Sequence, residues 1–428
     1  MTSMKEHQGF FSVLRKDGTL LPAFVSITNM KLPNMRLIQA GNERVLAARL
    51  ADAKFFFDED RKVRLADRVE KLKGVTFHKK IGTQYDRVRR ITELVKFLAG
   101  GPNASPFQNT DAELPGTCDR AAQLSKADLL TGIVGEFPAL QGVMGGEYAR
   151  HDGEPDAVCH AIAEHYLPRF ADDELPQTQA GMILSLADRL DTVFAFFRVG
   201  LIPSGSEDPF GLRRHALAIV RIVLEGQVAL DLGATEQAIG NIMKEKGIAR
   251  VGDHNPSDFI LDRLRYYGRT AAQLRDDVMD AVLKPADRPA LILTTLSQKM
   301  KTLQSFTTRA EFDPLIVGFK RAHRIVEKEN WKLDEVNPTL VQHPSEVELH
   351  KSLEDVRLKV PFAIEQGHFG TALEELVRLK PAIDAFFAGV MVNAEDEGLR
   401  KNRLSLLYGI DRLFISFADF SQISVPST

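Results

Sequence analysis

Cysteine is scarce in this chain: of 428 residues only Cys118 and Cys159 carry a thiol. Two thiols so far apart build neither a disulfide framework nor a zinc knuckle, a usage that fits a reducing cytoplasm. Long uninterrupted apolar runs and a signal-peptide pattern are also missing, which argues against export or a membrane partner. The sequence has no glycine-rich phosphate loop of the Walker type and no dinucleotide fingerprint; Gly100-Gly101 and Gly145-Gly146 are isolated pairs. Gly-x-Ser-x-Gly is absent, and Cys159-His160, as sequence neighbours, point in different directions on a helix. No catalytic residue is therefore assigned, and no cofactor or metal is expected on this chain. An excess of positive charge is lacking too: 55 Lys and Arg stand against 58 Asp and Glu, for a formal net charge of −3. That balance excludes a cation-coated surface and gives no reason to expect a DNA partner, but it leaves room for a nucleic-acid binder whose basic residues are clustered.

What is present is ample core material and helical periodicity. At 428 residues with 44% hydrophobic and 26% charged content, the chain predicts two to four soluble domains. Phe10–Leu14 and Leu20–Thr28 read as two strands around Lys16-Asp17-Gly18, where Asp-Gly favours a tight hairpin. From Asn42 the apolar residues Val45, Leu46, Leu50, Ala53 and Phe57 recur at helical spacing, and a second helix is predicted from about Arg61 to Leu72. A third, after Gly82-Thr83, carries Val88, Ile91, Leu94, Val95 and Leu98. Gly100–Gly116 reads as a loop, with further breaks at Gly247–Pro256, Lys284–Pro289 and Asn330–Ser345. The fold class predicted is mainly α, with helical bundles joined in series and a small N-terminal β element.

Several segments carry a resemblance. Leu379–Asn393, with Phe386 and Phe387, followed by Leu399-Arg400-Lys401-Asn402-Arg403-Leu404, resembles the C-terminal anticodon-binding helical domain of bacterial glycyl-tRNA synthetase β subunits and, more distantly, of arginyl-tRNA synthetases. Leu124–Leu129, Gly135–Gly145, Asp208–Arg214, Gly41–Val45 and Leu50–Phe57 spread the same resemblance over nearly the whole chain. It implies a tRNA-binding subunit that recognises glycine tRNA. ATP-dependent aminoacylation, with its ATP and Mg, then resides on a separate α subunit in an α2β2 assembly. The arginine-bearing motifs with which a class II synthetase holds ATP are not seen here, in keeping with that division. Family β subunits carry a further N-terminal region, so the chain corresponds to the C-terminal portion and alone is expected not to charge tRNA. The division expected is 1–75 as a linker region with hairpin and helices, 76–228 as a helical domain similar to the HD phosphohydrolase fold, 229–288 as a connecting helical domain and 289–428 as the anticodon-binding domain.

The HD resemblance implies a metal site of a His, an adjacent His-Asp pair and a distant Asp, residue types that donate lone pairs to a divalent ion. His78 stands for the first and Asp188 for the last, but Ser125-Lys126 occupies the place of His-Asp. A protonated lysine has no lone pair and repels a cation, so a degenerate site without metal is expected. The literal His151-Asp152 lies where Gly153-Glu154-Pro155 predicts a turn and helix start, not a mid-helix ligand pair. A metal-dependent nucleotide phosphohydrolase is the alternative function.

Three basic clusters are candidates for RNA contact. Lys320, Arg321 and Arg324 fall on one side of a helix, Arg400, Lys401 and Arg403 join them, and Arg213-Arg214 follow Asp208-Pro209-Phe210. For Arg213 a surface salt bridge to Asp208 or Glu207 is the competing reading. Arg263, Arg265 and Arg269, interleaved with Tyr266 and Tyr267, are read as an amphipathic helix. Phe386 and Phe387 are read as packing residues because Ala382, Ile383, Val390 and Met391 flank them.

Overall fold

The computed structural model describes residues 4–5, 8–29, 34–100, 106–107, 111–284 and 290–424. Parts of the predicted breaks at Gly100–Gly116 and Lys284–Pro289 lie outside the described residues. The chain forms two compact units, one of residues 1–222 and 236–256, the other of 223–235 and 257–428.

The predicted hairpin is present as strands Phe11–Leu14 and Leu20–Val25, paired antiparallel with Phe11 opposite Val25. Asp17 fixes its turn by accepting hydrogen bonds from the Thr19 amide and hydroxyl (2.9 and 2.7 Å), and Gly18 takes the positive φ of 83° that a side chain would strain. Helix Met35–Asp60 then ends where the Asp60 carboxylate accepts from the Gly132 and Ile133 amides and the Tyr148 hydroxyl. Here the structure departs from the helix predicted over Arg61–Leu72: a turn precedes a 3-10 helix, Ala66–Gly74. Arg68 is drawn back onto the Asp60 carbonyl and across to that of Leu130, and these nonlocal bonds replace the expected continuous ladder. A second small hairpin, Thr76–His78 with Gly82–Thr83, was also not visible in the pattern because its strands are too short to alternate.

Thr83 opens helix Gln84–Leu98 through a capping box with Asp86, each side chain accepting from the other's backbone amide. This helix packs with Leu114–Leu124, Asp156–Glu164 and Gln179–Arg198 to form the core of the first unit. Gln179–Arg198 is buried nearly all round, as expected of a helix with apolar residues on every face. Three charged residues, Asp188, Arg189 and Asp191, are nonetheless carried into that interior. Burying them requires partners, because an unpaired ion in such a place costs on the order of several kcal/mol.

In the second unit, helices Phe312–Glu329 and Glu397–Phe417 pack side by side around Phe319, Phe414 and Phe420, whose rings lie 5.0–5.9 Å apart. Helices Pro344–Arg357, Lys359–Glu365, Phe369–Arg378 and Lys380–Gly389 complete the bundle. Among the described residues no helix is long and apolar enough to cross a membrane.

Candidate functional site: a buried ion cluster and a basic helical face

The charges on the buried helix are met from three other segments. Arg90 holds Asp191 in a two-pronged pair, Nε to Oδ1 at 2.6 Å and Nη2 to Oδ2 at 3.0 Å. Arg87, one turn earlier on the same helix, pairs with Asp188 Oδ1 at 2.9 Å and donates to Thr192 Oγ1 at 2.7 Å. Lys126 approaches Asp188 Oδ1 from the end of helix Leu114–Leu124, also at 2.9 Å, and is completely buried. Its ammonium lies 2.9 Å from His165 Nε2 and 4.0 Å from the centre of the Tyr166 ring.

The tautomer of His165 follows from its second contact. Nδ1 sits 2.6 Å from the carbonyl oxygen of Ile162, which can only accept, so Nδ1 carries the proton and Nε2 offers its lone pair to Lys126. Burial, reinforced by the Lys126 charge, keeps His165 well below its ordinary value and therefore neutral. Lys126 itself is brought down to about 8, because burial outweighs the pull of Asp188. For Asp188 burial acts upward and is the largest single influence, but the charges of Arg87 and Lys126 hold its carboxyl well below the usual carboxylate range. The result is an internal salt: a carboxylate and an imidazole lone pair both directed at one tethered ammonium.

Of the residues expected at a degenerate metal site, the structure thus brings Lys126 and Asp188 together. Ser125 is buried and donates to the Ala122 carbonyl at 2.9 Å, closing its own helix end. His78 lies on the short strand Thr76–His78 beside the rings of Phe196 and Phe210 (5.5 and 5.7 Å). Among the described residues no group of three or more His, Cys, Asp or Glu is arranged to hold a metal ion. His165, Arg87 and Tyr166 are the members that sequence reasoning missed. The available signal was the buried helix itself, whose charges demanded partners. His151-Asp152 closes helix Val143–His151, with Asp152 Oδ2 accepting from the Leu65 amide at 2.6 Å.

Gly145-Gly146 has a packing role. A Cβ on Gly146 would sit 2.6 Å from the Cys159 carbonyl oxygen, so the two glycines let helices Val143–His151 and Asp156–Glu164 approach closely. Nearby, the buried Asp128 accepts from the Gly142 amide at 2.6 Å, and burial lifts its carboxyl to about 6.

The basic residues of the second unit divide by what they touch. Lys320 donates to the Ile423 carbonyl at 2.6 Å. Arg400 pairs with Glu329 at 2.5 Å, linking the two long helices. Arg403 is mostly covered and pairs with Glu346, which is 1% exposed, while also donating to the Met391 carbonyl at 2.9 Å. Arg321 stays exposed with its guanidinium 4.3 Å from the centre of the Phe387 ring. Arg324 is exposed and has no partner among the described residues. Lys401 is exposed, with only the i, i−4 pair to Glu397 at 2.7 Å. Phe386 is fully buried, whereas Phe387 is half-buried and carries Arg321 on its face. On the third cluster, Asp208 caps helix Leu212–Glu225 by accepting from the Leu212 and Arg213 amides (2.8 and 2.9 Å). Arg213 donates to the Gly205 and Glu207 carbonyls, not to a carboxylate, and Arg214 is exposed. Arg265 and Arg269 pair with acidic neighbours, Asp262 and Asp280 for the first and Asp276 for the second.

Comparison with known proteins places both units. A family model described as glycyl-tRNA synthetase beta subunit matches residues 1–284, and one described as DALR anticodon binding domain matches residues 315–426. The glycine–tRNA ligase beta subunit of Geobacter sp. (strain M21) is 44% identical over 424 residues, 99% of this chain and 60% of that protein. The protein of the same name from Myxococcus xanthus (strain DK1622) is 42% identical over 433 residues, with 99% and 60% covered. That of Janthinobacterium sp. (strain Marseille) is 39% identical over 423 residues, with 99% and 58% covered. The chain spans about 60% of the length of the curated relatives it matches.

Proposed function

The chain belongs to the family of glycyl-tRNA synthetase β subunits, and on that premise we propose that it is a tRNA-gripping part of a cytoplasmic glycine-tRNA ligase. In this reading it recognises glycine tRNA. An α subunit, joined with β in an α2β2 assembly, carries aminoacylation with ATP and Mg. Residues 76–228 act as an HD-like scaffold, 1–75 and 229–288 as linking regions and 289–428 as the anticodon-binding domain.

The observation that carries the reading is the anticodon-binding family match over 315–426, which includes the helices bearing Arg321, Arg324 and Lys401. These three cations are exposed, while Lys320, Arg400 and Arg403 are engaged by the bundle itself. An exposed arginine stacked on a half-buried aromatic ring presents both a positive charge and a flat surface, features suited to a phosphate and an unstacked base. Arg214 offers a further exposed cation on the first unit.

The test is binding of glycine tRNA to the chain across a salt series. Arg324→Glu combined with Lys401→Glu is expected to weaken binding by about tenfold or more and to make its salt dependence shallower by about one unit of slope for each phosphate the variant no longer neutralises. Equal affinity and equal slope would remove this face from the reading. Arg403→Ala serves as a contrast: it strands the buried Glu346 carboxylate, so its expected effect is a lowered melting temperature of the second unit.

The ion cluster speaks against the phosphohydrolase alternative. Lys126 directs a positive charge at Asp188 and takes the lone pair of His165, the two groups best suited to a divalent ion. Stoichiometric divalent metal in the purified chain, lost on Asp188→Asn, would favour that alternative.

A further inference from the structure

A cavity of about 420 Å3 opens against the ion cluster in the first unit. Four arginines line it, Arg87, Arg169, Arg189 and Arg214, with Asp188 as the one acidic residue among the lining. That carboxylate is already committed to Arg87 and Lys126, each 2.9 Å away. The imidazole of His215 also lines the cavity and adds no charge, since burial and the neighbouring Arg189 bring it down to about 3. Arg189 is saturated by its hydrogen bonds to Ser185, Tyr166 and Pro168. The others are not. Arg87 is over nine-tenths buried, and its Nε makes no hydrogen bond, its nearest carboxylate oxygen being Asp191 Oδ2 at 3.8 Å. Arg214 has no partner among the described residues, and Arg169 makes a single long side-chain contact, to the Ala139 carbonyl at 3.3 Å. A buried guanidinium donor left open beside two further underused arginines is a vacancy for an anion.

The lining is also aromatic. Phe77, Phe196 and Phe210 line the cavity, with the Phe196 and Phe210 rings stacked 4.2 Å apart. The Tyr166 ring is occupied by the Lys126 ammonium, and Phe77 by Arg87 at 4.3 Å. Phe210 is held there because the next residue, Gly211, turns the chain at φ 64° into helix Leu212–Glu225. The volume suits a small organic ligand.

We propose that this cavity binds a phosphomonoester with a flat ring attached, the chemistry of a nucleoside monophosphate, with the phosphoryl oxygens on Arg87, Arg169 and Arg214 and the ring against Phe210 and Phe196. The same chemistry is offered by a free nucleotide and by the 5′-phosphorylated end of an RNA. The inference shares Arg214 with the tRNA-gripping reading but does not rest on Arg324 or Lys401, which belong to the other unit.

Titration calorimetry of the chain with adenosine monophosphate, guanosine monophosphate, the unphosphorylated nucleosides and inorganic phosphate tests it. The monophosphates are expected to bind with one site per chain, about tenfold or more tighter than inorganic phosphate, and the nucleosides weakly. Arg214→Glu, at an exposed position, is expected to weaken the monophosphates by about tenfold or more. Phe210→Ala is expected to weaken the monophosphates while leaving inorganic phosphate unchanged, and Lys401→Glu to alter neither. Competition by a 5′-phosphorylated RNA hairpin but not by its dephosphorylated form identifies an RNA end as the source of the group; absence of competition identifies the free nucleotide. No saturable heat with any monophosphate, or affinities indifferent to Arg214→Glu in a folded variant, would overturn the proposal. Mobility shifts with glycine tRNA that respond to Arg324→Glu and Lys401→Glu but not to Arg214→Glu would show the two sites to be separate.

Discussion

Replacing Lys126 by methionine removes one charge from the interior and leaves the shape of its stem nearly intact. Were the whole cluster replaced by apolar groups, the change would be close to neutral; removing one partner is different, because the remaining charge keeps its desolvation cost and loses its compensation. Asp188 would retain only Arg87, and His165 Nε2 would lose its donor. Breaking a buried pair costs roughly 3–5 kcal/mol, and the surviving Arg87 contact puts Lys126→Met near the lower end, about 3 kcal/mol. For a unit of this size that corresponds to a fall in melting temperature of about 6–12 °C. Hydrogen exchange along Gln179–Arg198 should accelerate with it. The single tryptophan, Trp331, belongs to the second unit, so its emission follows that unit while far-UV circular dichroism follows both.

Asp188→Asn gives the complementary result and a pH signature. Without the carboxylate, the Lys126 pKa should fall further below its present value of about 8. The folded state then binds fewer protons than the unfolded chain throughout the interval between the folded value and that of a free lysine, so stability rises with pH across that interval. The variant should therefore suffer more at pH 6 than at pH 9. Combined, Lys126→Met and Asp188→Asn should cost less than the sum of the two by about 1 kcal/mol or more, the mark of residues acting as one network. A Lys126→Met protein that melts within about 2 °C of the parent (less than about 1 kcal/mol at this size), with unchanged exchange along the buried helix, would refute the view that the ammonium holds this core together.

Glycine positions give a sharper contrast. Gly146→Ala should destabilise by about 1–3 kcal/mol, because its Cβ would meet the Cys159 carbonyl oxygen at 2.6 Å and backbone cannot swing aside as a side chain can. Gly240→Ala, on helix Leu232–Glu245 with nothing within 4 Å, should instead stabilise by about 0.5–1 kcal/mol; thermal unfolding of the two variants side by side decides the point. In the second unit, His323 and Asp411 join the two long helices through a 2.7 Å contact, and that hydrogen bond raises the imidazole pKa. A raised value means the contribution is fully present below the ordinary histidine value and fades as pH rises through the folded one. Urea midpoints of the parent should accordingly drop between pH 6 and 8.5 relative to those of Asp411→Asn, and parallel curves would dismiss the pair as a pH-sensitive contact.

Local signals were legible in the sequence and nonlocal ones were not. Asp17-Gly18 and the Thr83/Asp86 capping pair act within a few residues, so the hairpin and the start of helix Gln84–Leu98 were readable from spacing. The helix expected at Arg61–Leu72 failed because its competitor is distant: Asp60 is captured by residues 72 to 88 positions away. Lys126 and Asp188 were found through a resemblance, whereas His165, 39 positions beyond Lys126, has no local mark of its role. The apolar residues on every face of Gln179–Arg198 were a signal left unread: joined to the rule that buried charges need partners, they would have pointed to Arg87 and Arg90, one turn apart on an amphipathic helix. On the basic face, spacing placed Lys320, Arg321 and Arg324 together but could not tell which of them the C-terminal segment would engage, since Ile423 lies 103 positions away.

In the HD-like scaffold proposed for this unit, Lys126 supplies the positive charge that a metal ion would otherwise bring to Asp188. A carboxylate and an imidazole held in the interior need a positive charge between them. A divalent ion supplies it together with open coordination positions that acidify bound water. An ammonium supplies the charge and the hydrogen bonds, but it has no vacant position for a water or a phosphoryl oxygen and no means of making hydroxide at neutral pH. Because it is tethered to helix Leu114–Leu124, it is present whenever the unit folds, so the packing of Gln179–Arg198 becomes independent of metal supply.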